Sequence, residues 1–186
     1  MLKVAITGNI ASGKSQVEKI IGEKFPVYDS DKLAHSVLDE LTDFYGYDVF
    51  TDGKIDRKKL GKLVFENNDL KKKLEEIVHP IVKEKIYELF EIHKDEQLIF
   101  ISVPLLYEAG FEKLFDKVIL VTVDKEIQLE RLMKRNNLSE DEALKRINSQ
   151  IQQEEKLNKA DYIVYNNSDL NNLKQQTEKI MQNLIQ

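Results

Sequence analysis

Gly8-Asn9-Ile10-Ala11-Ser12-Gly13-Lys14-Ser15 matches the pattern G-x-x-x-x-G-K-[ST]. It lies between the apolar, β-branched segment Leu2-Lys3-Val4-Ala5-Ile6-Thr7 and the amphipathic stretch Ser15–Lys24. That order of strand, glycine loop and helix gives the motif its physical meaning, because successive backbone N–H groups at a helix N-terminus form a concave site for phosphate anions. The pattern assigns Gly8, Ala11, Ser12, Gly13, Lys14, Ser15 and Gln16 to a nucleotide. Lys14 then bridges the β- and γ-phosphates and the Ser15 hydroxyl serves Mg²⁺. The implied chemistry is transfer of a terminal phosphoryl group, which depends on positioning and electrostatic stabilisation and needs no covalent protein intermediate.

Outward from the loop, Leu98–Val103 and Val118–Val123 read as further buried parallel strands, and Phe25–Tyr28 and Tyr162–Tyr165 as shorter ones. Amphipathic stretches at Ile81–His93, Ile127–Arg135 and Leu170–Ile185 alternate with them. The fold class is therefore α/β, with a parallel sheet of about five strands. From Asp43 the pattern changes to turns and charged helices without a strong strand, which predicts a helical insertion over 43–93 suited to holding a substrate. Pro80 is expected to end the helix before it and occupy the first turn of the next, where its missing N–H costs nothing. Ser139-Glu140-Asp141-Glu142 has capping-box spacing and should start a helix through Arg146, with Asn136-Asn137 as the break before it. No repeat or low-complexity linker divides the chain, so residues 1–186 are expected to form a single domain.

Composition narrows the classes further. Charged residues make up 33% and hydrophobic residues 41%, with 7 Gly and 3 Pro, the profile of a chain that folds. No apolar run approaches the roughly 20 residues needed to span a bilayer, and no signal peptide is recognisable, so a cytoplasmic protein without membrane attachment is expected. The absence of cysteine removes disulfides, thiolate ligands and thiol nucleophiles. A net charge of −5 argues against a broad nucleic-acid footprint, although local clusters such as Arg57-Lys58-Lys59 and Arg131 to Arg146 can bind phosphorylated small molecules. The sequence leaves the oligomeric state between a monomer and a weak homo-oligomer.

Asp29-Ser30-Asp31 follows the second strand, and in a parallel sheet it would reach the carboxyl edge where ligands collect. Asp31 then accepts or orients the proton of an attacking hydroxyl and Asp29 holds Mg²⁺ through water, or else the two cap the helix that begins near Lys32. Arg131 and Arg135 share a helix face, with Lys134 beside them and Arg146 beyond a break. They form either a solvated face or a lid over 131–150 whose guanidinium groups close on the triphosphate. A guanine-binding reading has superficial support in Asn158-Lys159-Ala160-Asp161 (N-K-x-D) and Asp43-Phe44-Tyr45-Gly46 (D-x-x-G). Asn158 precedes a strand instead of following one and Asp43 follows helical sequence, so both matches are expected to be accidental.

Across nearly its whole length the chain resembles the dephospho-CoA kinases, which are P-loop small-molecule kinases. The resemblance is carried by Gly8–Ser15, Asp29-Ser30-Asp31, Gly53-Lys54-Ile55-Asp56-Arg57-Lys58-Lys59-Leu60-Gly61, His79-Pro80-Ile81 and Pro104-Leu105-Leu106-Tyr107-Glu108. It continues through Gln128-Leu129-Glu130-Arg131-Leu132, Arg146, Glu154-Glu155-Lys156 and Ala160-Asp161. It implies ATP as co-substrate with Mg²⁺, dephospho-CoA as acceptor at its ribose 3′-hydroxyl, and the last step of coenzyme A synthesis. It further implies that Lys14 is the phosphate clamp, Asp31 the base, Arg135 and Arg146 lid contacts, and Arg57 and His79 part of the substrate region. Asn9 and Ala11 stand where that family's loop usually has glycine, so their dihedrals should be ones a side chain tolerates. Ser102 stands where the family usually has an aspartate at the end of the third strand, which shifts weight onto Ser15 and Asp29. Tyr165 replaces another usual aspartate, before Asn166.

Overall fold

Five segments form one sheet: β1 (Leu2–Thr7), β2 (Val27–Asp29), β5 (Leu98–Ser102), β6 (Lys117–Thr122) and β7 (Tyr162–Tyr165). Their order across it is β2-β5-β1-β6-β7. Every pairing among them is parallel. The computed structural model describes residues 1–38, 49–52 and 54–186. These divide into two compact units, Met1–Asp29 with His93–Gln186, and Ser30–Ile92.

In the first unit the sheet is central. All five residues of β5 are buried, as the continuous apolar run of a strand covered on both faces requires. Val4, Ile6, Phe100, Ile119 and Val121 form one core with Val17, Ile20 and Ile21 of α1 (Lys14–Gly22) and Leu173, Ile180, Met181 and Leu184 of α8 (Leu170–Ile185). From β1 the chain passes to β2 and β5 on one side and then to β6 and β7 on the other. The carboxyl end of β1 is thus the switch point at which an open parallel sheet leaves a crevice. α5 (Lys125–Asn136) ends at Asn137, whose φ of 51° is a left-handed C-cap, and α6 (Glu140–Asn148) opens with the Ser139–Glu142 capping box the sequence predicts. The short α7 (Gln153–Leu157) precedes β7.

The second unit holds α2 (Ser30–Leu38), α3 (Arg57–Glu66) and α4 (Asn68–Ile92), with α4 packed against both of the others. It differs from expectation in two respects. A small antiparallel pair, β3 (Phe50–Thr51) and β4 (Lys54–Ile55), is present where no strand is predicted. Pro80 does not divide α4, which runs unbroken through it. Pro80 removes one hydrogen bond and costs about 3 kcal/mol in a helix interior. Val78, Val82, Ile86 and Phe90 are buried on one face spanning the proline, and at roughly 1.5–3 kcal/mol per buried side chain they outweigh that loss. Asp56 caps α3 by accepting from the backbone N–H groups of Lys58 and Lys59, which lowers its pKa. The D-x-x-G match at 43–46, residue 53 and the side chain of Arg57 lie outside the described residues.

Candidate nucleotide site

Residues 8–13 connect β1 to α1 and set the geometry of the site. Gly8 passes so near β6 that a Cβ there would lie 2.5 Å from the carbonyl oxygen of Val121. Gly13 has φ 92° and caps α1, and a Cβ on it would fall 1.9 Å from Asn166 Nδ2. Both glycines of the motif are therefore required by close approach, and Gly13 also by its backbone conformation. Ala11 adopts φ 61°, the left-handed region that glycine favours, whereas its type predicts an ordinary conformation. An L-residue reaches this region at a cost of about 1–2 kcal/mol, borne here because the flanking loop is pinned on both sides.

That pinning comes from elements far away in sequence. Asn166, at the end of β7, is 8% exposed and donates from Nδ2 to the carbonyl oxygen of Ser12 at 2.9 Å. Gln128 of α5 donates to the Ile10 carbonyl at 2.8 Å, and Gln150 Oε1 accepts from the Ile10 N–H at 2.8 Å. Asn9 Nδ2 donates to the Ile151 carbonyl at 3.1 Å. The N–H of Ile151 donates in turn to Glu108 Oε1, which also takes Lys156 Nζ at 2.7 Å. Lys156 is fully buried, and this pairing with Glu108 is what its charge requires. The loop is thus held by the segment that joins α6 to α7.

A cavity of about 810 Å³ opens over the loop. Its lining includes Asn9 and the run Ala11–Gln16 on one side, Arg131, Lys134 and Arg135 of α5 on another, and Asn166, Ser168, Leu170 and Leu173 on a third. Sequence reasoning had no signal for the last four as a group, because they gather only through the β7–α8 turn. Arg146 is exposed on α6 and is not part of the lining. Lys14 Nζ contacts Glu18 Oε1 at 2.5 Å and also the hydroxyl of Ser102.

The cavity suits a polyphosphate. Arg131 Nη1 is buried and has no hydrogen-bond partner among the described residues. Leaving such a donor unsatisfied costs about 1–3 kcal/mol, which a shift of the guanidinium onto an anionic oxygen in the cavity would relieve. For a divalent cation the donors are few and hard: the exposed Ser15 hydroxyl, and Asp29, which closes β2 and lies in register with Ser102 of β5. No cluster of three or more His, Cys, Asp or Glu is present among the described residues. A sparse oxygen set of this kind fits Mg²⁺, which keeps several waters and leans on substrate phosphates.

The other residues singled out in the sequence belong to the second unit: Asp31 is in the first turn of α2, and His79 lies in α4. Burial pushes the pKa of His79 down, with Lys83 adding to the shift and Glu75 opposing it. Arg57 begins α3. The guanine-binding reading finds no footing. Asp161 accepts from the Val118 N–H and from Lys117 Nζ, both at 2.9 Å, at the amino end of β6 and away from the loop end of the sheet. Burial, reinforced by Asp161 and Glu112, pushes the Tyr107 phenol up to about 12, so it remains protonated at neutral pH and is no base.

Similarities to known proteins bear on this geometry. The family model described as dephospho-CoA kinase matches residues 2–172. A dephospho-CoA kinase of Fusobacterium nucleatum is 41% identical over 189 residues, covering 97% of this chain and 97% of the relative. The solved dephospho-CoA kinase of Campylobacter jejuni superimposes with a TM-score of 0.75 at 37% identity, covering 98% of this chain and 96% of that one. A shikimate kinase of Bacteroides thetaiotaomicron shares the fold alone, with a TM-score of 0.60 at 16% identity, covering 98% of each chain.

Proposed function

This chain belongs to the dephospho-CoA kinase family, and on that premise we propose that it transfers the γ-phosphoryl group of ATP to the ribose 3′-hydroxyl of dephospho-CoA, giving coenzyme A and ADP. The observation that carries this reading is the cavity itself, which is lined by Lys14 of the phosphate loop together with Arg131, Lys134 and Arg135 of α5. The site has cationic donors in place before any anion arrives, the arrangement expected where charge on a transferring phosphoryl group must be stabilised.

In this account the N–H groups of Gly13, Lys14 and Ser15 and the Lys14 ammonium hold the β- and γ-phosphates, and Arg131 and Arg135 take the outer oxygens. Asp31 accepts the proton of the 3′-hydroxyl as its oxygen bonds to the γ-phosphorus and the bridging bond to ADP breaks. Ser15, and Asp29 through water, would hold Mg²⁺, which when bound neutralises charge between the β- and γ-phosphates. Residues 131–150 serve as a lid that would carry Arg146 to the nucleotide, and residues 43–93, with Arg57 and His79, hold the acceptor. The enzyme is read as cytoplasmic, monomeric or weakly self-associating, and independent of nucleic acid; among the described residues no helix is long and apolar enough to cross a membrane.

An acceptor panel tests the assignment. ADP release from ATP and Mg²⁺ should rise at least a hundredfold with dephospho-CoA and stay at background with nucleoside monophosphates or shikimate. Stimulation by a nucleoside monophosphate alone would transfer the chain to a different acceptor class.

A further inference from the structure

At the carboxyl end of β5 stands Ser102, which is fully buried. Its hydroxyl donates to Glu18 Oε1 at 2.5 Å and is itself contacted by Lys14 Nζ, which reaches the same carboxylate oxygen at 2.5 Å. The proton count closes. The ammonium donates to both oxygens, and the serine spends its single proton on the carboxylate while accepting with a lone pair. Glu18 is one turn beyond Lys14 on α1, so the two side chains share a face. Both are mostly covered, at 17% and 20% exposure, in contrast to the exposed ion pairs elsewhere on the surface.

We infer that Glu18 is a positioning residue of this kinase, which fixes the Lys14 ammonium by direct contact and, together with Ser102 at the strand end, sets its direction. Lys14 has four side-chain rotors, and a lysine free to swing loses much of its electrostatic effect on a transferring group. Glu18 and Ser102 hold it from two directions on the sheet side and leave its third proton for phosphate. The two sites are complementary: a serine with only a hydroxyl at the strand end is matched by a carboxylate within reach on the helix. The inference rests on Lys14 as the phosphate clamp and not on the identity of the acceptor.

The test relocates the carboxylate. Glu18→Gln keeps the shape and hydrogen bonding but removes the charge, and should lower kcat ten- to a hundredfold while the ATP dissociation constant changes less than threefold. Glu18→Ala should behave likewise, and adding Ser102→Asp to it should restore at least a tenth of the lost rate, which a packing role would not allow. ATP affinity is read by fluorescence titration with and without Mg²⁺, and folding by the unfolding midpoint. Slow ATP hydrolysis without acceptor is measured in parallel. If the wild-type protein ignores dephospho-CoA, the acceptor assignment fails, and the same comparison on hydrolysis still decides the role of Glu18. Unchanged kcat in Glu18→Gln overturns the inference. So does tighter ATP binding with kcat maintained, the mark of a contact that merely parks the lysine, and so does a loss in Glu18→Ala that Ser102→Asp does not recover.

Discussion

Replacing Gly13 by alanine perturbs the site at two separable points. The backbone there has φ 92°, and holding an L-residue in the left-handed region costs about 1–2 kcal/mol. The added Cβ would also sit 1.9 Å from Asn166 Nδ2, so the amide must leave and its hydrogen bond to the Ser12 carbonyl is lost. Stranding a buried acceptor costs about 1–3 kcal/mol more. The sum, about 2–5 kcal/mol, is a large part of the 5–15 kcal/mol that holds a domain of this kind together. Urea unfolding of Gly13→Ala, Asn166→Ala and the double variant separates the terms. In the Asn166→Ala background the glycine substitution should cost only the backbone share, about 1–2 kcal/mol, because the opposing amide is gone. ATP affinity should fall in both backgrounds, since the N–H groups of the loop shift. An alanine that costs the same with and without Asn166 would refute the proposed contact, and one that costs nothing would refute the backbone argument too.

The remaining predictions concern four other positions. Ala11→Gly relieves a left-handed alanine at φ 61° and should raise the unfolding free energy by about 0.5–1 kcal/mol in urea, the strain relieved exceeding the added chain entropy. Arg131→Gln removes a buried donor that has no partner, so it should leave the nucleotide-free protein as stable or more so, while weakening ATP binding roughly ten- to a hundredfold in titration calorimetry. Asp31→Asn should lower the maximal transfer rate to dephospho-CoA with ATP affinity retained; an unchanged rate would leave the residue only a first-turn carboxylate that favours the N-terminus of α2. His79 has a folded pKa below its usual 6.5, chiefly through burial, so the unfolded chain binds the proton more readily. Stability should therefore fall as pH drops through 6.5 toward the lowered folded value, and His79→Gln should lessen that fall in unfolding midpoints compared at pH 7.5 and 5.5.

The sheet and its loop were legible in the sequence because their signals are local. Apolar β-branched runs mark β1, β5 and β6, and the eight-residue motif fixes which strand meets which helix. The Ser139–Glu142 capping box and α8 were likewise readable from spacing and periodicity. Pro80 misled because its local effect, one lost hydrogen bond, is smaller than the burial of Val78, Val82, Ile86 and Phe90, and that burial becomes visible only once α4 is packed on α2 and α3. β3 and β4 have two residues each, too short for a period to register.

At the site, the pattern named the residues of the loop but not those that hold it. Asn166 lies 154 positions from Ser12, and Gln150 lies 140 from Ile10, so no sequence window joins them. The left-handed Ala11 was hidden for the opposite reason: its residue type argues against the conformation that its neighbours impose. Arg131 is visible in the sequence as a charge, but its unpaired buried nitrogen is not, and the contact of Ser102 with Glu18 spans 84 positions that no local pattern joins.

The central claim is tested most directly by identifying the product. Wild-type protein incubated with ATP, Mg²⁺ and dephospho-CoA should yield ADP and, in equal amount, a compound heavier than the acceptor by one phosphoryl group, placed on the ribose 3′-oxygen by phosphorus NMR. Lys14→Ala should reduce its formation by orders of magnitude. ADP formed without any phosphorylated acceptor, or a phosphate found elsewhere on the molecule, would contradict the account.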